Sequence, residues 1–548
     1  MKRLFIIFAA FGFGLLPAMA AQGARRARAT AAPPPAALQA QAPSQPFSPA
    51  NPYEIPGPAQ PKTQVDRLVF QNLDKLGIEP PALCSDAVFV RRIYLDLIGT
   101  PPTGHEAREF LLDNIPGKRD ALIDKLLGDD RFASYWAMKW SDLLRIKAEF
   151  PINLWPNAVQ AYHRWIRTSI RDGMRYDQFA RELLTSSGSN FRQPEANFYR
   201  AMQNREPSGI AQTVALTFLG ARADKWPKEQ IDGMAAFFSQ IRHKSTGEWK
   251  EEIVMHDPAL ATNGLWRSAM FPDGKPARLK AGEDPRVAFA DWLLAPSNPW
   301  FARNIANRAW SWFLARGIIH EPDDIRPDNP PSNPALLAHL ERELAGSKYD
   351  MRHLFKVITG SSAYQFSSLA KSTNAAAEAS FAAYPIRRLE AEVLMDALNQ
   401  ITGTTERYTS AIPEPATVIP GTERAIDLAD GSITSPFLEL FGRPSRDTGY
   451  ESERNNRPTP AQRLHLLNST HIQEKIEQSQ MIRYQTGSQK SPEEIAVGVY
   501  LGILSRFPTQ AETKTAAAYA RAEGMTARQA AVDLAWALIN SSEFLCRH

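Results

Sequence analysis

Apolar positions recur along most of this chain with a helical period. Phe132, Trp136, Trp140 and Leu143 fall at i, i+4, i+8 and i+11, one face of a helix, and Val532, Trp536 and Ile539 repeat the pattern later. Polar residues mark where such helices begin. Thr103 with Glu106, Thr509 with Glu512, and Thr526 with Gln529 have the spacing of capping boxes, in which each side chain satisfies an orphan backbone donor. Asn298 before Pro299 and Tyr384 before Pro385 place proline at a first helical position. Gly317 and Gly403 are placed to close helices. Strand signals are few: Trp249–Met255, and a turn at Pro272-Asp273-Gly274, which together predict a small hairpin near 249–276. The pattern predicts a mainly α protein, a multi-helical body in two packed halves with a small β-hairpin between them.

The N-terminal segment breaks this pattern. Lys2 and Arg3 precede an apolar run from Leu4 to Leu16, and Ala18-Met19-Ala20 fits a small-x-small cleavage site. The run is shorter than the roughly 20 residues that span a bilayer. Residues 1–20 therefore read as a signal peptide, and the mature protein as periplasmic or secreted with no membrane span. Residues 21–62 are rich in Ala, Pro, Gln and Ser, a composition that cannot bury a core and reads as a linker. A helical domain over 63–245, a hairpin or connector over 246–283 and a second helical domain over 284–548 complete the plan. The net charge of +4, from 63 basic and 59 acidic residues, is too small for a nucleic-acid-binding surface. Cys84 and Cys546 are the two cysteines. Export would permit a disulfide, and the plainer reading is two buried thiols.

Signatures of familiar chemistry are missing. The chain has no Gly-x-Ser-x-Gly elbow, P-loop or Gly-x-Gly-x-x-Gly. His105-Glu106 lacks the second histidine of a zinc-protease motif, since Glu109 stands at i+4 from His105. His465 and His471 are six apart, off a common helical face. Asp323, Asp324 and Asp328 lack calcium-loop spacing and read as a solvated turn. No metal site is expected. Asn304, Asn307, Arg308 and Ser311 lie opposite Phe301, Ile305 and Trp312 on one predicted helix. Asp142 and Arg145 share a face, and Arg388 and Glu392 are spaced for an i,i+4 pair. The plainer reading is a set of buried pairs and amides tying helices together. The functional one is a polar cleft with Arg145, Arg200 and Arg454 as donors to a ligand, Asn304, Asn307 and Arg308 as further binding candidates, and Asp142 as an acid or base. Asp142 and Arg200 are expected to line one shared cleft.

The run from Arg91 to Thr103, Arg-Arg-Ile-Tyr-Leu-Asp-Leu-Ile-Gly-Thr-Pro-Pro-Thr, closely resembles the opening of domain of unknown function 1549. That resemblance continues through Trp136, the Trp140–Arg145 segment, Trp165, Tyr176–Phe179, Leu183–Thr185 and Asn197–Arg200. Asp284–Arg286, Asp291–Leu293, Asn298-Pro299, Asn307-Arg308, Trp310, Ser361–Tyr364, Arg387–Glu392 and Leu467–Ser469 resemble domain of unknown function 1553. The pair is similar to an exported, planctomycete-cytochrome-associated family, some members of which carry cytochrome-like domains. The resemblance implies a fold and a compartment better than a reaction. Similar proteins usually carry a Cys-x-x-Cys-His segment after a Phe-Leu-Gly helix end. Here Phe218-Leu219-Gly220 runs through Ala221-Arg222-Ala223 into Asp224-Lys225-Trp226. A second cysteine-bearing stretch corresponds to Tyr450-Glu451-Ser452-Glu453-Arg454, again without cysteine. Losing both together suggests that they serve one cofactor or cross-link that this chain has dropped.

These features lead to an expected noncatalytic binding or assembly protein, with no haem and no catalytic metal, whose partner is an exported protein or a cell-envelope polymer. The alternative is a periplasmic hydrolase of a polar polymer such as a glycan, with Asp142 and Glu451 the first carboxylates to examine. An electron carrier is disfavoured, because no haem-attachment motif is present. Paired carboxylates in an open cleft would favour the hydrolase, and carboxylates locked to arginines the binding protein.

Overall fold

The aromatic stripe becomes the meeting line of the two halves. A computed structural model describes residues 47–372, 374–487 and 489–548. The leader at 1–20 and the linker as far as residue 46 lie outside the described residues. Helices α1 (Asp86–Ile98), α2 (Asp130–Leu143) and α3 (Pro156–Arg171) belong to the first half. Helices α4 (Phe301–Leu314) and α5 (Ala391–Thr402) belong to the second. On α2, Trp136 packs against Trp312 and Phe313 of α4 and against Phe355, with ring centroids 5.1, 5.8 and 4.4 Å apart. Each such pair adds about 0.5–1.5 kcal/mol beyond its buried area. One continuous apolar core runs from Ala59 to Phe544 through both halves, and residues 47–548 form one compact unit. With 24 α-helices against five short strands among the described residues, the chain is mainly α.

The three capping boxes form as their spacing predicts, and Gly403 closes α5 in the left-handed conformation. Gly317 does something else. Ala315 ends α4, and a Cβ at Gly317 would stand 2.2 Å from the Ile319 carbonyl oxygen, so this glycine permits a close chain crossing. Tyr384-Pro385 starts no helix; strand β4 (Arg387–Arg388) follows and pairs antiparallel with β5 (Cys546–Arg547).

The hairpin lies earlier than its expected place. Its strands are β2 (Ile241–Ser245) and β3 (Glu252–His256), with β1 (Gly188–Ser189) added antiparallel along β3. The reason is compositional: Ile-Arg-His-Lys-Ser carries little apolar signal, and Trp249 belongs to the connecting turn, where it is 70% exposed. The turn at Pro272–Gly274 does form, and a single bridge joins Met270 to Pro276. Residues 47–62, the described end of the proline-rich stretch, are pinned to the body. Ser48 bridges to Thr509, Tyr53 donates to Glu543 at 3.2 Å, and the Pro52 carbonyl accepts from Ser85. Cys84 and Cys546 are free thiols. No helix among the described residues is long and apolar enough to cross a membrane.

Candidate functional site

Charged residues set into apolar helix faces converge along the seam between the halves. Asp96 sits in the fully buried run Ile93–Ile98 of α1. It accepts from Arg387 at 2.9 Å, from Arg547 at 2.8 Å, and from the hydroxyls of Tyr364 and Tyr384 at 2.8 Å each. Arg547 also pairs with Glu390, which takes a second bond from Lys139 of α2 at 2.6 Å. Burial pushes the Glu390 carboxyl up, but Arg547, Lys139 and Arg454 outweigh it and hold the group well below the usual carboxylate range. Buried ions persist only when paired and hydrogen-bonded in this way.

Asp142 joins a second group on the same seam. Its oxygens accept from Arg446 at 2.9 Å and from Arg454 at 2.7 and 3.0 Å. Arg454 simultaneously forks onto Glu392 at 2.6 and 3.0 Å, and Arg443 approaches Glu392 at 3.4 Å. Burial raises the Glu392 carboxyl and Arg454 lowers it further, for a net downward shift. The expected Arg388–Glu392 pair does not form. Arg388 lies in a strand, outside the helix that holds Glu392, and donates to the carbonyls of Leu389, Phe441, Asn455 and Asn456.

The other candidates disperse. Arg200 pairs with Glu252 of β3 at 2.8 Å, so it and Asp142 belong to separate groups and do not line one cleft. Asn304 donates to the Thr217 carbonyl at 3.0 Å. Asn307 clamps the Ile319 amide and carbonyl at 2.8 and 2.9 Å. Arg308 binds Asp323 at 2.8 Å and Glu451 at 3.1 Å. Asp323 is thus buried in an ion pair and is no solvated turn residue, while Asp324 and Asp328 share the more exposed Arg326. Glu451 also accepts from Trp312 Nε1 at 3.0 Å. Burial raises its carboxyl pKa, Arg308 opposes, and Asp323 adds to the rise; the side chain keeps 29% exposure.

Arg145 is different. It donates to the carbonyls of Ala201 at 2.7 Å and Leu143 at 3.1 Å, and its Nη2 is buried with no partner. It lines a cleft of about 210 Å³ whose walls come from residues 202–224 and 447–450. The two segments that lack the cysteines of similar proteins meet there: the Arg222 guanidinium lies over the Tyr450 ring at 5.3 Å. Residues 221–226 offer no thiol or imidazole, so the donor set does not fit a haem or a thiolate-bound metal. No cluster of three or more His, Cys, Asp or Glu suited to a metal occurs among the described residues.

Reading the sequence missed Asp96, Lys139, Arg387, Glu390, Arg443, Arg446 and Arg547. For Asp96 a signal existed, a lone carboxylate inside an apolar helical run. His465 and His471, set aside for their spacing, do meet at 3.3 Å across the junction of two helices, with Glu406 accepting from His471 at 2.8 Å.

Two family models match the chain. One, described as a protein of unknown function (DUF1549), covers residues 64–243, and the other, described as a protein of unknown function (DUF1553), covers residues 285–520. No curated protein and no solved structure matches.

Proposed function

We propose, for a chain that belongs to the family in which DUF1549 is followed by DUF1553, the role of an exported, noncatalytic binding or assembly component of the periplasm or cell surface. One observation carries this reading: the carboxylates best placed for chemistry are consumed by structure. Asp142 is held by two arginines, and Glu451 by Arg308 and Trp312. Asp142, so locked, cannot exchange protons with a substrate without breaking the seam, whereas the Arg145 cleft remains open to a ligand. Export rests on the leader-like composition of residues 1–20. The test is isolation of the native protein from fractionated cells. A stoichiometric partner protein or envelope polymer in the periplasmic or surface fraction is expected. Recovery alone, from the cytosolic fraction, overturns the proposal.

A second reading, a hydrolase of a polar polymer such as a glycan, draws on Glu451. A partly exposed carboxyl with a raised pKa has the character of a general acid. The reading requires reducing-end release from envelope glycan that disappears in Glu451→Gln.

A further inference from the structure

The Arg145 cleft has features that go beyond an unspecified binding role. We propose that it binds a carboxylated sugar residue, a uronate, with Arg145 as counter-ion to the carboxylate; this deepens the binding reading and rests on it. Arg145 is 3% exposed and bonds only to backbone carbonyls, so no anion answers its charge directly. Its backbone is left-handed, at φ 57°, which an L residue adopts only where the surroundings enforce it. The surroundings are specific: a Cβ at Gly449 would stand 2.5 Å from Arg145 Nη1, so glycine there admits the guanidinium. Burial draws the Arg145 pKa down to about 10, with Tyr162 and Glu453 opposing.

Glu453 is the carboxylate whose charge acts on it, yet that carboxylate already accepts from the amides of Asp447, Thr448 and Gly449 and from the hydroxyls of Ser445 and Thr448. The other wall charges are largely matched. Asp447 is answered by Lys147 at 2.7 Å, and Arg222 by Glu321 at 2.9 Å, although Arg222 Nε is buried without a partner. Asp224 adds a negative charge at the rim. One unmatched cation beside an acidic rim suits a singly charged carboxylate better than a doubly charged phosphate. Asn204, Gln212 and Thr213 supply amides and a hydroxyl along the same cleft, the groups that meet ring hydroxyls. At about 210 Å³ the space accepts one ring rather than a drug-sized ligand.

The test is calorimetric titration of the mature chain with glucuronate, glucose and acetate. Glucuronate should bind roughly tenfold or more tighter than either of the others, because only it supplies both the anion and the hydroxyls. Arg145→Met should abolish the advantage over glucose; Thr213→Val and Gln212→Ala should remove the advantage over acetate. If Arg145→Met does not fold, the latter two variants decide: unchanged glucuronate affinity in both overturns the proposal. Equal binding of glucuronate and glucose, equal binding of glucuronate and acetate, or no binding at all overturns it too. In those cases a partner that still co-purifies with the native protein leaves the broader binding reading standing.

Discussion

Replacing Asp142 by asparagine should unseat the seam. The substitution keeps the shape of the side chain and removes the anion between Arg446 and Arg454, which approach at 2.9 and 2.7 Å. Arg454 retains Glu392, but Arg446, 1% exposed, is left with no anion, only neutral acceptors, the Ala429 carbonyl and at most the new amide oxygen. Removing one partner from a buried pair costs about 3–5 kcal/mol. A cooperative unit of about 500 residues has an unfolding entropy near 1 kcal/mol/K at ~2.1 cal/mol/K per residue, so Tm should fall by about 3–5 °C. The decisive measurement is a double-mutant cycle. Arg446→Met in the Asp142→Asn background removes the stranded cation, so the double variant should be more stable than the sum of the singles by about 2 kcal/mol. Scanning calorimetry and urea melts would read it. Additive effects, or an Asp142→Asn loss below about 1 kcal/mol, would mean that the seam group is not a stabilising unit.

Acid should weaken the fold through His163. Burial first, then Arg446 and Arg167, draws its pKa from the ordinary 6.5 down to about 3. A base with a depressed folded pKa contributes stability that is whole above pH 6.5 and drains as pH falls toward 3, at ~1.4 kcal/mol per pH unit. His163→Gln should therefore flatten the pH dependence of urea melts between pH 6.5 and 4, and an unchanged slope would remove His163 as its source. Gly449→Ala adds a Cβ at φ 75°, 2.7 Å from the Leu143 carbonyl oxygen as well as against Arg145; a loss of about 1–3 kcal/mol is expected in thermal melts, and a neutral result would contradict the close approach. Purified protein should show no Soret band and no stoichiometric zinc or iron in elemental analysis; one equivalent of either, retained through dialysis, would refute the cofactor-free reading.

Much of the helical framework was legible because it is written locally. A capping box needs four residues and a buried stripe about a dozen, and both can be counted along the chain. The seam is written at long range. Arg454 meets Asp142 across 312 positions, and no spacing rule anticipates that. Local rules also misled where their element was wrong: Arg388 and Glu392 have helical spacing, but Arg388 ends a strand and the helix begins only at Ala391. Polar strand β2 was invisible for the opposite reason, because its few apolar residues left no alternation to count. Arg145 was nominated as a donor from its residue type, while its isolation from any anion could be seen only with the fold in place.

The position of Arg547 bears on how the protein is made. Synthesis delivers the chain from its N-terminus, so Asp96, Tyr135 and Lys139 emerge some four hundred residues before the arginine that joins Asp96 to Glu390. Until then Glu390 has only Lys139 and the Tyr135 hydroxyl as donors, and the edge of β4 lacks its partner β5. The aromatic core itself waits for Trp312, Phe313 and Phe355 of the second half, and the seam closes only when Arg547 reaches it. A chain in which β5 has not yet docked would be partly assembled and ionically open, the state in which a chaperone or a protease would find it.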